Sequence, residues 1–169
     1  MPSALDVAQF FLASNPPSSI TKLKLQMLCA YAQAISLAYL DAPLFDEELE
    51  AWDLGPVVAS IDAAYQSYAN LPIPQAEPNL AAFSMQQRLV LAGVNDEYAS
   101  NFDSWELCVK AHEDFPSVSL NQIFAPEALK ERFRSAPLVQ RFRSVDEYVD
   151  DDDETLSAEE FFRSLGIQN

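Results

Sequence analysis

Glycine is scarce in this chain: only Gly55, Gly93 and Gly166 occur in 169 residues, and they lie far apart. Loops that cradle a phosphate need clustered glycines, so that several backbone amides can approach the anion together, and P-loop and dinucleotide-binding chemistry are excluded on that ground. Histidine occurs once, at His112, and cysteine twice, at Cys29 and Cys108. That supply rules out His-pair and cysteine-rich zinc sites. Two isolated cysteines set in apolar helical patterns read as buried thiols rather than a disulfide. There is no Gly-x-Ser-x-Gly nucleophile elbow. A Ser or Cys nucleophile with His112 as its base would have to be assembled by the fold, and the chain is read as a non-enzyme. Long apolar runs are missing too: none approaches the ~20 residues that span a bilayer. The N-terminus lacks the basic region and apolar segment of a secretion signal, so the expectation is a cytoplasmic protein with no membrane partner.

Positive charge is the other shortage. Ten Lys and Arg face 26 Asp and Glu, a formal net charge of −16. Nucleic acids are bound through Lys and Arg with release of counterions, so a surface this negative repels them. The one feature that invites a nucleic-acid reading is the block Arg132-Phe133-Arg134-Ser135, repeated as Arg141-Phe142-Arg143-Ser144, since guanidinium groups pair with phosphates and rings stack on bases. Residues 1–129 carry four basic and sixteen acidic side chains, and repulsion from that body opposes the idea. A basic protein partner is favoured instead, because complementary fields raise the encounter rate. The acidic clusters Asp46-Glu47-Glu48 and Asp150-Asp151-Asp152-Asp153 have the oxygen chemistry of a hard-cation site but read as solvated faces; no metal and no cofactor is expected.

Apolar and polar residues alternate nowhere for long enough to require a substantial sheet, and the expected fold is mainly α. Its centre is the stretch from Thr21 to Asp41. Leu25, Leu28, Ala32, Ile35 and Tyr39 form one stripe at helical spacing, and Leu23, Met27, Ala30, Ala34 and Leu37 form a second beside it. A helix apolar over most of its girth is wrapped by other elements. Thr21 is placed to cap its start, and Pro43 closes it. Ser3 with Asp6, Ser84 with Gln87, Asp103 with Glu106 and Ser157 with Glu160 each have the spacing of a capping box, and so mark four further helix starts. The third of these leads into Trp105, Leu107, Cys108 and Val109. Pro126 begins another helix, Glu127 to Arg134. Leu44 to Trp52 has no decisive period and fits either an extended segment or a short helix. Leu54-Gly55-Pro56 reads as a turn from which Pro56 opens the next helix. The expected division is a helical domain over residues 1–125 and an extension over 126–169, the latter holding the basic-aromatic block, the acidic run and a short amphipathic helix with Phe161 and Phe162.

An ordered set of short blocks also carries a family resemblance: Ala4-Leu5-Asp6-Val7-Ala8, Leu25-Gln26, Tyr31-Ala32-Gln33, Pro43-Leu44-Phe45-Asp46-Glu47-Glu48, Glu50-Ala51-Trp52 and Gly55-Pro56-Val57-Val58. Together they resemble the Panacea, or SocA-like antitoxin, domain. Ser104 to His112 is similar to a more weakly patterned block of that family, and beyond Val118 there is no resemblance. Met27 to Ala30 and Ala34-Ile35 depart from the family pattern by core-compatible exchanges. The resemblance implies an antitoxin that neutralises a cognate protein toxin, of the alarmone-synthetase-like or another translation-blocking class; one branch of the family instead delivers its toxin to a protease, so the alternatives are an adaptor that brings a toxin or other client to a protease and a regulatory interaction protein without a toxin. It implies structural roles for Leu25, Gln26, Tyr31, Gln33, Trp52, Gly55 and Pro56. Partner contacts are expected on Asp46, Glu47, Glu48, Glu50, Trp52 and Asp53, and on the tail through Asp150 to Asp153, Phe161 and Phe162.

Overall fold

A computed structural model of the chain describes residues 1–148. Asp150 to Asp153, Phe161, Phe162 and the Ser157–Glu160 capping box lie outside them. The fold is mainly helical, with α1 (Ala4–Ser14), α2 (Lys22–Leu40), a hairpin of β1 (Glu50–Trp52) and β2 (Gly55–Val57), then α3 (Ala59–Tyr65), α4 (Met85–Val94), α5 (Ser104–Asp114), α6 (Pro126–Phe133) and α7 (Pro137–Tyr148). The central helix is where the apolar stripes put it. Every residue of α2 from Lys24 to Ala38 is buried, because α1, α3, α4, α5, α6, α7 and β2 all pack on it.

Local chemistry sets the helix starts. The side chains of Ser3, Ser84 and Asp103 accept from the N–H three residues on, and Asp6, Gln87 and Glu106 return the bond, so all three capping boxes within the described residues form. Thr21 caps α2 through a bond from the Lys24 N–H. At its other end Asp41 takes a left-handed conformation, φ 56°, which turns the chain before Pro43.

Of the two forms left open for Leu44 to Trp52 the extended one is found at its end, and the chain beyond it departs from its sequence reading. Glu50 to Trp52 is extended, and Gly55-Pro56-Val57 is the second strand of an antiparallel hairpin rather than a helix start; α3 begins only at Ala59. Pro56 faces Ala51 in the register, and Ala51 spends its own N–H and C=O on the other side, with Gln122 and Asn121. The missing proline N–H is therefore not needed between the strands. Gly55 has φ 131°, which side chains rarely adopt, so the backbone requires glycine there; a Cβ would also sit close, 3.3 Å, to the end of the Met27 side chain.

Helices α6 and α7, which the sequence reading assigns to an extension beyond residue 125, bring Leu129, Phe133, Leu138, Val139 and Phe142 into the same hydrophobic core as α1 to α5. Tyr31 of α2 is its aromatic hub. Its ring stacks on Tyr98 at 4.0 Å and meets Phe115 and Phe133 edge-on.

Candidate functional site

Two buried glutamines of α2 hold the surface around the hairpin. Gln26 accepts from the Val58 N–H at 2.9 Å and donates to the Val58 carbonyl at 3.0 Å, so the residue ahead of α3 is gripped by its own backbone groups. Gln33 accepts from the N–H groups of Leu44 and Phe45 and donates to the Phe45 carbonyl. On the other flank the Cys108 thiol of α5 donates to the Leu54 carbonyl at 2.8 Å. The chain from Asn121 to Phe124 pairs along the free edge of β1. The hairpin is thus fixed on both sides, and its tip, Trp52-Asp53-Leu54, projects.

Beneath that tip lies an open cleft of about 810 Å³. Its walls are the tip itself, the start of α2 with Lys22, Leu23 and Gln26, Asp62 of α3, Ser104 at the start of α5, and the loop residues Leu120 and Asn121. Two contacts brace the walls: Lys22 pairs with Asp62 at 2.8 Å, and the Thr21 and Ser104 hydroxyls share a hydrogen bond at 2.7 Å. The Trp52 indole N–H donates to Glu50 Oε2 at 2.9 Å, which orients the ring.

The acidic residues expected to meet a partner are divided by the fold. Asp46, Glu48 and Asp53 are exposed. Glu47 is half-buried and accepts the Ala4 N–H at 2.7 Å, capping α1, while Glu50 holds Trp52. Asp53 and Trp52 line the cleft; Asp46, Glu47 and Glu48 do not. Of the motif residues, Leu25 and Pro56 are buried, and the Tyr31 hydroxyl donates to Asp114 Oδ2 at 2.7 Å. Among the described residues no group of three or more metal-ligating side chains comes together, and no helix is long and apolar enough to cross a membrane. His112 is exposed, and its Nδ1 bonds the Cys108 carbonyl.

Sequence reasoning missed the apolar part of this surface. Leu54 is 48 % and Leu120 57 % exposed beside the cleft. On α5 the apolar residues divide: Leu107, Cys108 and Ala111 face inward, whereas Trp105 and Val109 are 63 % and 46 % exposed. The spacing of four between Trp105 and Val109, off the inward stripe, was the available signal. For Leu54 and Leu120 there was none, because they meet only through the pairing of β1 with the 121–124 loop.

The Arg-Phe repeat is used inside the fold. Phe133 and Phe142 are core residues. Arg132 donates to the Glu113 and Asp114 carbonyls at the end of α5, and Arg143 to the Ala38 carbonyl near the end of α2, where helix carbonyls lack partners. Arg141 pairs with Glu97 at 2.7 Å and Arg134 with Glu131. Lys22, Lys110 and Lys130 pair with Asp62, Asp114 and Asp41. Arg88 donates to the Leu80 carbonyl and the buried Lys24 to the Ala99 carbonyl. Every Lys and Arg among the described residues therefore has an acceptor within the chain. Comparisons with protein-family models, with curated proteins and with solved structures found no match to this chain.

Proposed function

We propose that the chain is a protein-binding module of the antitoxin type, which neutralises a cognate protein toxin by seating on it and covering a basic active surface. The observation that carries this reading is electrostatic: a net charge of −16 in which the described cations are each spent on internal acceptors, leaving exposed carboxylates such as Asp46, Glu48 and Asp53 to set the outward field. Such a surface repels phosphate backbones and attracts a basic protein. Toxins that act on nucleotides or tRNA need a basic substrate surface, and an acidic partner covers it while competing with the phosphates. The ordered resemblance of residues 4–58 to the Panacea domain supports the same reading, and the exposed apolar side chains at the hairpin tip supply the non-polar part of a contact.

Co-expression tests it. The product of a neighbouring reading frame should arrest growth alone and be tolerated together with this chain, and the two should co-purify. If no neighbouring product is toxic, or toxicity persists with the chain present, the reading fails. Occlusion also requires that rescue persist in protease-deficient cells; rescue lost there means delivery for degradation in place of occlusion.

A further inference from the structure

We propose that the cleft beneath the hairpin tip is a receptor for a basic, apolar-flanked segment of a partner protein, in which an arginine lies against Trp52 and pairs with Asp53 while a neighbouring aliphatic side chain lodges between Leu54 and Leu120. The inference rests on the protein-binding reading above and names the chemistry of the partner.

Four observations converge on this occupant. Asp53 stands exposed at the tip with no cation beside it among the described residues, whereas Asp62 across the cleft is already paired with Lys22; the open carboxylate calls for a cation from outside. The Trp52 ring is held by its bond to Glu50 and keeps 36 % of its surface exposed, which suits a guanidinium, the cation that combines ring stacking with carboxylate pairing. Leu54 and Leu120 are about half exposed at the same rim, an arrangement that gains only when an apolar group covers it. Finally, the walls are fixed by Gln26, Cys108 and the Thr21–Ser104 bond, so binding costs little ordering. A second copy of the chain is disfavoured as the occupant because it brings the same surplus of negative charge. Nucleic acid is disfavoured because the cleft offers it a single cation, Lys22, already engaged.

The test uses the full chain and three short synthetic peptides: one alternating arginine with leucine, one alternating arginine with serine, and one alternating glutamate with leucine. The protein has two tryptophans, so two indole N–H resonances report separately on Trp52 in the cleft and on Trp105 outside it. The arginine–leucine peptide should shift Trp52 saturably and leave Trp105 in place, and the other two should bind far more weakly. Asp53→Lys should raise the dissociation constant about tenfold or more, as for the centre of an interface, whereas Glu113→Lys, an equal charge change on an exposed site at the far end of α5, should raise it only slightly, through the general field. An unmoved Trp52 resonance, equal weakening by the two charge reversals, or equal binding of the serine peptide would each overturn the proposal. Retained dispersion of the core methyl resonances certifies that the variants are folded. If a neighbouring toxin is neutralised equally well by Asp53→Lys, the cleft is refuted and the antitoxin reading stands; if there is no such toxin, that reading falls and the peptide titration alone decides the cleft.

Discussion

Gln33 is buried on α2 and spends its whole carboxamide on the chain that follows the helix. Its oxygen accepts from Leu44 and Phe45 at 2.7 and 3.2 Å, and its nitrogen donates to Phe45 at 2.9 Å. Gln33→Leu keeps the volume but strands two backbone N–H groups and a carbonyl inside the protein. Each stranded group costs about 1–3 kcal/mol, so a loss of roughly 3 kcal/mol is expected in a urea titration even after some water enters. A loss below ~1 kcal/mol would mean that the 43–49 segment relaxes without it. The buried titratable groups give a second expectation. Burial pushes the hydroxyls of Tyr31, Tyr39 and Tyr98 well above the ordinary tyrosine range, and the Cys29 thiol likewise. For a group whose folded pKa is raised, stability is complete below the unfolded value and drains as pH climbs past it. Lys24 has the opposite sign, since burial lowers its pKa and the cost of enclosing its ammonium is relieved as pH nears about 10. The raised groups outnumber it. The urea midpoint should therefore hold from neutrality to about pH 8, begin to fall at about pH 8.5 as the Cys29 thiol ionises in the unfolded chain, and fall more steeply at about pH 10 as the tyrosines join it; Lys24→Met should steepen that fall.

The packing of α4 against α7 turns on one glycine. A Cβ at Gly93 would stand 2.5 Å from Phe142 Cζ and 3.2 Å from Leu138 Cδ1. Alanine is the better helix former by about 1 kcal/mol, but overpacking of this kind costs about 1–3 kcal/mol, so Gly93→Ala should destabilise and should raise hydrogen exchange over residues 137–148. Phe142→Leu alone opens a cavity. In the double variant the two defects offset each other, giving a coupling on the order of 1 kcal/mol in a double-mutant cycle; additive effects would show that α7 is not seated by this contact. That contact also marks what was legible in the sequence. The three described capping boxes and the central helix were readable because caps and apolar periodicity are written within a few residues. The hairpin was not, since a proline after a glycine turn is equally suited to open a helix, and what holds this one in a strand is distant in sequence: Gln26 grips Val58, and residues 121–124 pair along β1. The Arg-Phe repeat looked like a surface patch because its arginines are conspicuous, although Leu138, Val139 and Phe142 already had the spacing of a buried helical stripe. Of the candidate site, Trp52 and Asp53 were legible and the apolar rim was not.

Charge acts over the whole molecule. With 26 acidic against 10 basic residues, the chain repels itself as well as nucleic acid, and added salt should raise its stability as the Debye length shrinks from about 30 Å at 0.01 M to about 10 Å at 0.1 M. The same screening separates two contributions to the proposed complex. Carboxylates spread over the surface steer a basic partner from a distance, an effect worth about 10–1,000-fold in association rate at low salt, while Trp52, Asp53 and Leu54 act only once the partner is seated. Raising ionic strength should therefore slow association by at least about tenfold and change dissociation little. Asp46→Asn with Glu48→Gln, two exposed acids away from the cleft, should slow association mildly and leave dissociation alone. Trp52→Ala should do the reverse, because removing a seated anchor shortens the complex's lifetime. An association rate indifferent to salt, measured by surface plasmon resonance with the co-purified partner, would mean that the surplus of negative charge plays no part in recognition, and the electrostatic basis of the antitoxin reading would have to be abandoned.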